Sequence, residues 1–313
     1  KRLKNELSAH PLVDFYEDVD LVNPRVDAAR KMVELPKPAG VILALTPATN
    51  PVSTLYYKAI LALLGRNAVI FSPHPLARAC CCDAAARLEA AAVAAGAPAG
   101  LIQCIEAPSV PLVQALMASP KVQVILATGG GPMVRAAYSS GNPAIGVGPG
   151  NAPVYVDPDA DQTEAARHIV DSKAFDNSVL CTNESVLISL EENSSRLERA
   201  LRAAGAHICS DGEATKLRAW LFPDGHLNTA AVGKSAVWIA AQAGFRVVPS
   251  IKVLVASVDQ VGLDEPLTRE KLCPVLAWAK AGSFERATGM AQMILRMTGA
   301  GHSAAFHGKA AHM

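Results

Sequence analysis

From Gly40 onward the apolar positions alternate between short continuous runs and longer stretches with helical spacing. Val41 to Leu45, Ala68 to Phe71, Leu101 to Ile105 and Val122 to Thr128 read as strands. Between them Leu55 to Leu64, Leu76 to Ala95, Val110 to Met117 and a segment from Met133 read as helices, with Gly65, Gly96 and Pro98 as stops. Continuous apolar strands bounded by turns are what a parallel sheet covered on both faces requires. Repeated βα units of this size predict a doubly wound α/β sheet with right-handed crossovers. The alternation breaks at AIGVGPGNAPVYV (144–156), where glycines and prolines interrupt the apolar residues. A helix over 162–174 and a polar loop over 175–181 follow. The pattern then restarts, with strands at Ser185 to Leu190, Val253 to Ser257 and Val275 to Trp278, and helices at Ser194 to Ala203 and Phe284 to Met297. The restart places a domain boundary near Asp176, giving a first domain over 1–175 and a second α/β domain over 176–313.

Composition agrees with two domains, since 313 residues exceed what one core usually supports. A net charge of +1 offers no basic surface, so no nucleic-acid partner is expected. The longest apolar stretch, Ala84 to Ala99, carries Arg87 and Glu89, so no membrane partner is expected either. The seven cysteines are odd in number, and neither a CxxC pair nor a His/Cys cluster has metal-ligand spacing. We therefore expect no disulfide framework, no metal and a reducing, cytoplasmic location. Cys80, Cys81 and Cys82 lie in a helical pattern and read as small apolar filler.

Three segments could carry chemistry. Thr128 runs from a strand into Gly129, Gly130 and Gly131 before a helix, which places backbone N–H groups at the positive end of a helix dipole, where a pyrophosphate binds. The order is not GxGxxG, and a tight βα turn explains it equally well. Cys181 lies in the polar loop AFDNSVLCTNE, yet a lone cysteine is more often a buried small apolar residue than a nucleophile. Asn50, in the proline-bracketed turn TPATNP, offers an amide donor to a developing oxyanion or simply shapes the turn.

Taken together, the order and spacing of these segments resemble the aldehyde dehydrogenase superfamily, in particular its CoA-acylating branch. The stretches that carry the resemblance are GVILALTPATNPV (40–52), GRNAVIFSPHP (65–75), ATGGGPMV (127–134), AIGVGPGNAPVYVD (144–157), AFDNSVLCTNE (174–184), EKLCPVL (270–276) and GHSAAFH (301–307). The resemblance implies an NAD-binding domain over 1–175, whose segment 1–39 contributes to subunit pairing, and a catalytic domain over 176–313. It implies that Cys181 is the nucleophile, that Asn50 and the backbone N–H of Cys181 form the oxyanion hole, and that His302 matches a catalytic histidine of less settled role, expected to help deprotonate a thiol. The implied cofactor contacts are Thr46, Pro47, Ser72, Pro73 and His74; Thr128, Gly129, Gly130 and Gly131; and Gly146, Val147 and Gly148, with Glu270 on the nicotinamide ribose. It also implies coenzyme A as cosubstrate, a small aldehyde as substrate, a homo-oligomer, and for some members residence in a bacterial microcompartment.

Two departures bear on the chemistry. Hydrolytic members carry a glutamate at the head of an E-L-G-G motif as base for water. Aligned on Pro153, that position is Val147 here. Without the base, attack of water on a thioester is poorly promoted, whereas a thiol acceptor supplies its own thiolate. The turn after the second strand has Ser72 and His74 and no acidic residue for a ribose hydroxyl, so NAD is expected and NADP stays open. The rival readings are a glutamyl-phosphate reductase-like NADPH enzyme and an inactive NAD-binding fragment. The fragment reading arises because the chain opens at Lys1 and stops at Met313 soon after GHSAAFH, so sequence is expected to be missing at both ends.

Overall fold

The computed structural model describes residues 2–298 and 302–309. The chain divides into two compact units between Gly148 and Pro149. No helix among the described residues is long and apolar enough to cross a membrane.

The first unit opens with α1 (Arg2–Tyr16) and an antiparallel pair, β1 (Arg25–Asp27) with β2 (Met32–Glu34). Five parallel strands follow, joined by four helices: β3 (Val41–Thr46), α2 (Pro51–Leu64), β4 (Ala68–Pro73), α3 (Arg78–Ala94), β5 (Ile102–Cys104), α4 (Val110–Met117), β6 (Val124–Thr128), α5 (Gly131–Tyr138) and β7 (Ala144–Val147). Their order is β5-β4-β3-β6-β7, so the winding reverses between β3 and β6. Both faces of the sheet are covered. Ile42 and Ala44 pack with Leu55, Phe71 and Cys81 on one face, and Leu43 and Leu45 with Val113, Met117 and Ile125 on the other. This two-sided burial is why β3 reads as an unbroken apolar run. Helix α2 starts at Pro51, before the expected Leu55, because proline's fixed φ and missing N–H suit the first helical position. Helix α3 starts after a short 3-10 turn, Pro75–Ala77, which is capped by His74 Nδ1 accepting from the Leu76 N–H at 3.2 Å.

The second unit is a six-stranded parallel sheet in the order β10-β11-β12-β9-β8-β13. Its elements are β8 (Ala152–Val156), α6 (Gln162–Ala174), β9 (Glu184–Leu190), α7 (Glu191–Ala204), β10 (Ala206–Ile208), α8 (Asp211–Leu221), α9 (Ala236–Gln242), β11 (Val253–Val258), β12 (Val275–Ala281), α10 (Phe284–Thr298) and β13 (Ala305–His307). Ile169 and Val170 of α6 pack with Leu187, Leu197 and Trp278 on one face, while Ile188, Leu217, Ile239 and Ala277 form the core of the other.

The sequence boundary near Asp176 therefore differs from the division seen at Gly148–Pro149. The reason lies in AIGVGPGNAPVYV, which holds two strands belonging to different sheets. Ala144–Val147 pairs with β6, and Ala152–Val156 pairs with β9, carrying α6 with it. The elements with no visible signal, β10, α8, α9 and β13, are short or only weakly periodic. Helix α8 nonetheless has a capping box, with Ser210 and Glu213 each bonding the other's backbone N–H.

Candidate active site

Cys181 is half-buried in the loop between α6 and β9. The approach to it is conformationally costly. Asp176, Asn177 and Ser178 all have left-handed φ, at 49°, 50° and 57°. Each such residue without a glycine's freedom is held there by its surroundings, and such outliers gather at functional sites. Here the hold comes from Asn177 Nδ2 on the Gly233 carbonyl (3.0 Å) and from Asn183 Nδ2 on the Ser172 carbonyl (2.8 Å). Leu272, also left-handed at φ 50°, accepts from the Gly233 N–H at 3.0 Å.

These strained segments enclose a cavity of about 10 Å³, lined among others by Gly150, Asn151, Lys173, Ser178, Cys181 and Glu270. That is room for about one water-sized group, and such a site must be polar to hold one. It is polar. Asn151 Oδ1, Ser178 Oγ and Glu270 Oε1 are buried without a hydrogen-bond partner, although Asn151 Nδ2 is anchored on the Thr268 carbonyl at 2.8 Å. Buried orphans of this kind cost about 1–3 kcal/mol each unless a ligand or water satisfies them.

Charge is concentrated around the cavity. Burial pushes the Glu270 carboxyl up to about 7, opposed by the Gly150 backbone N–H and by the Lys173 and Lys271 charges. Burial pulls Lys173 down to about 8, with Glu184 and Glu270 acting the other way. Lys271 is fully buried, and its Nζ donates to the carbonyls of Ser185, Leu267 and Arg269 at 3.1, 2.6 and 2.9 Å, which fixes the turn that presents Glu270. Sequence reasoning missed Lys173, Lys271, Asn151 and Ser178, because a lysine in a helix or a loop ordinarily reads as solvated.

His302 joins this group through Gly150. A Cβ on Gly150 would lie 2.5 Å from the His302 ring, so the imidazole packs against the bare backbone whose N–H serves Glu270. Its Nδ1 accepts from the Ser303 N–H at 2.9 Å, and burial lowers its pKa. A neutral ring so bonded carries its proton on Nε2 and presents a donor. Gly301, which opens the same motif, lies outside the described residues.

In the first unit, the expected cofactor turns lie at the C-terminal ends of β3, β4 and β6, beside the reversal of strand order where open α/β sheets bind ligands. Thr46 is buried, with its hydroxyl 3.6 Å from Cys81 Sγ, and its carbonyl accepts from the His74 N–H at 3.0 Å. Ser72 and Pro73 are buried and His74 is exposed. The Gly129 N–H is engaged by the Val147 carbonyl at 3.2 Å, which leaves Gly130 and Gly131 to offer N–H groups to a phosphate. A Cβ on Gly129 would meet nothing, and one on Gly130 only Pro132 at 3.9 Å. Internal packing thus does not require these glycines, and the open space suits a pyrophosphate. Gly146 differs: a side chain there would strike Val134 at 2.6 Å and Tyr138 at 2.9 Å, so its bareness serves packing under α5. Val147 is exposed and Gly148 half-buried. Asn50 stands at the N-cap position of α2 without a side-chain cap bond, and its Oδ1 accepts from the Thr49 hydroxyl at 3.0 Å, so the amide's N–H groups are what it has left to offer. Lys58, missed by the sequence reading, donates to a carbonyl of β3 and one of β6, those of Leu45 and Leu126, both at 2.7 Å.

The structure also brings together a His/Cys/Glu group that sequence spacing did not show. The ligand atoms of His207, Cys209 and Glu213 lie within 4.8 Å of one another. Glu213 Oε2 is already bonded by the Ser210 N–H (2.9 Å) and hydroxyl (3.2 Å) and by His207 (3.0 Å) at the N-terminus of α8. A helix N-terminus disfavours a cation, so we read the group as a cap.

Residues 16–216 match the profile of the aldehyde dehydrogenase family. The chain is 40% identical over 276 residues to an aldehyde-alcohol dehydrogenase of Clostridium acetobutylicum, covering 88% of this chain and 32% of that protein. It thus spans about a third of the length of the aldehyde-alcohol dehydrogenases it matches. It superposes on the crystal structure of an acetylating aldehyde dehydrogenase from Geobacillus thermoglucosidasius with a TM-score of 0.96 at 38% identity, covering 99% of this chain and 69% of that one. It superposes on a Rhodopseudomonas palustris propionaldehyde dehydrogenase, solved with bound CoA and an acylated cysteine, with a TM-score of 0.81 at 34% identity, covering 87% and 62%. On the strength of the profile match and these superpositions, the chain belongs to the aldehyde dehydrogenase family.

Proposed function

We propose that this chain carries the cysteine chemistry of a CoA-acylating aldehyde dehydrogenase, aldehyde plus CoA plus NAD giving acyl-CoA plus NADH. The observation that carries this reading is Cys181 itself. It is held by a strained loop at a water-sized cavity, together with three buried oxygens in need of a partner. As thiolate, Cys181 attacks the aldehyde carbon to form a hemithioacetal. Bound NAD supplies the hydride acceptor that converts this adduct to a thioester. The first unit's Thr46, Pro47, Ser72 to His74 and Thr128 to Gly131 are the residues to hold it, and in the second unit Glu270 offers a buried acceptor at the cavity that Cys181 lines. The CoA thiol then attacks the thioester, and Cys181 departs as thiolate. His302, presenting Nε2–H, donates a hydrogen bond to the acyl or CoA portion rather than removing a proton.

Three features support CoA over water as acceptor: the absence of a carboxylate at Val147, the acylating relatives, and the relative solved with bound CoA and an acylated cysteine. Replacing Cys181 with Ala is expected to abolish CoA-dependent NADH formation while NAD binding persists. Retained turnover in that variant defeats the assignment. Offering CoA and phosphate in parallel, with a panel of aldehydes, separates acyl-CoA formation from the acyl-phosphate chemistry of a glutamyl-phosphate reductase.

A further inference from the structure

The cysteine triplet of α3, which the proposed reaction leaves unused, lies against a fourth cysteine from β5. Cys82 Sγ stands 3.2 Å from Cys104 Sγ, 22 positions away in sequence. Both thiols are half-buried, Cys80 is exposed and Cys81 is fully buried. A disulfide needs a sulfur separation of about 2.05 Å, so the two atoms need approach by only about 1 Å. The thiol of Cys82 also lies 3.8 Å from the Ile105 carbonyl, and Ile105 itself is tied to β4 through the Phe71 carbonyl at 2.9 Å. One sulfur therefore rides on a helix and the other on the edge strand of the sheet, so both sit on regular elements and not on a loop. Cys80, by contrast, turns its sulfur onto the Ala77 carbonyl of its own helix at 3.1 Å.

We propose that Cys82 and Cys104 form an oxidative modification site, a dithiol that a peroxide converts to an intramolecular disulfide joining α3 to β5. Burial raises the pKa of Cys104 and keeps that thiol protonated, which assigns the first attack to Cys82. In that step the Cys82 sulfur takes one peroxide oxygen, giving a sulfenic acid and releasing water. The Cys104 sulfur then attacks the sulfenic sulfur. The S–S bond forms, the S–O bond breaks, and the hydroxyl leaves as a second water with the Cys104 proton. Two thiols are oxidised by two electrons, and one peroxide is reduced to two waters. The adjacent resolving thiol keeps Cys82 from climbing to sulfinic acid. Closing a 22-residue span without native strain restricts the unfolded chain, so the cross-link stabilises the first unit. The site is independent of Cys181, which lies in the other unit.

The test is peptide mapping of the intact protein under non-reducing conditions after graded hydrogen peroxide, followed by thermal unfolding. The expected result is a peptide pair joined through Cys82 and Cys104, reversed by dithiothreitol, with the unfolding midpoint raised by several degrees. Either Cys82→Ser or Cys104→Ser removes both signals, and Cys80→Ser keeps them. Cysteines 82 and 104 recovered separately, as sulfinic or sulfonic acids or as unmodified thiols, would overturn the proposal, as would a cross-link that uses Cys80 instead. Because the wild-type map is read first, failure of one serine variant to fold leaves the proposal decidable.

Discussion

The ring of His302 occupies the place where a side chain at residue 150 would begin, with Cε1, Nδ1 and Nε2 lying 2.5, 2.6 and 2.7 Å from an ideal Cβ on Gly150. The backbone N–H of that glycine also serves the Glu270 carboxyl. One missing methyl thus makes room for the imidazole against Gly150, which itself lines the cavity shared by Cys181 and Glu270.

It follows that Gly150→Ala displaces the His302 ring. CoA-dependent NADH formation is expected to fall by about tenfold or more, and stability by roughly 1–3 kcal/mol, the usual cost of overpacking. Gly282→Ala is the control, since a Cβ there meets nothing within 4 Å. Steady-state kinetics and urea midpoints on both variants check this, and an unaltered Gly150→Ala enzyme contradicts it.

Glu270 predicts a pH dependence of folding. Its pKa rises from 4.5 to about 7 on burial, so the folded protein binds the proton more tightly than the unfolded chain does. Stability therefore falls as pH rises from about 4.5 to about 7, by at most ~3 kcal/mol, and the cost is fully present above that window. Glu270→Gln is expected to remove that slope in urea titrations across the range. An identical slope in the variant would show the carboxyl to be solvated.

Lys58 predicts the opposite window. Burial lowers it from 10.5 to about 7, so the unfolded chain binds the extra proton and stability rises with pH from about 7 toward 10.5. Lys58→Met leaves the Leu45 and Leu126 carbonyls without their donor, at about 1–3 kcal/mol each. A lower unfolding midpoint with a flattened alkaline slope is the expected result. A variant as stable as wild type at pH 7 would refute it.

Arg218 grips Glu265 in two parallel hydrogen bonds of 2.9 Å, tying α8 to the turn that leads into Lys271. The Glu265 side chain is only 12% exposed, so screening is slight. A double-mutant cycle of Arg218→Met and Glu265→Gln should give a coupling of about 2 kcal/mol. Coupling near zero would mean that the pair contributes geometry without energy.

The strands were legible because a parallel sheet covered on both faces demands unbroken apolar runs, as in Val41 to Leu45. The division of the chain was not, because AIGVGPGNAPVYV reads as one irregular segment until its halves are seen pairing with different strands. Motif order singled out Cys181 and Glu270 as candidates, and the structure places both in the lining of one cavity. Lys173 and Lys271 were invisible for a simple reason. Sequence marks a lysine as solvated, and only packing removes the water.

The sequence by itself determined the α/β class, the family motifs and the absence of a carboxylate at Val147. These are local or ordered along the chain, and a linear reading captures them. Tertiary structure decided the rest: the boundary at Gly148–Pro149, the His302 ring over Gly150, the orphaned oxygens around Cys181, and the Cys82–Cys104 contact. Each of these joins residues far apart in sequence, and the cost of burying a polar group or crowding a ring exists only once the chain has closed around it.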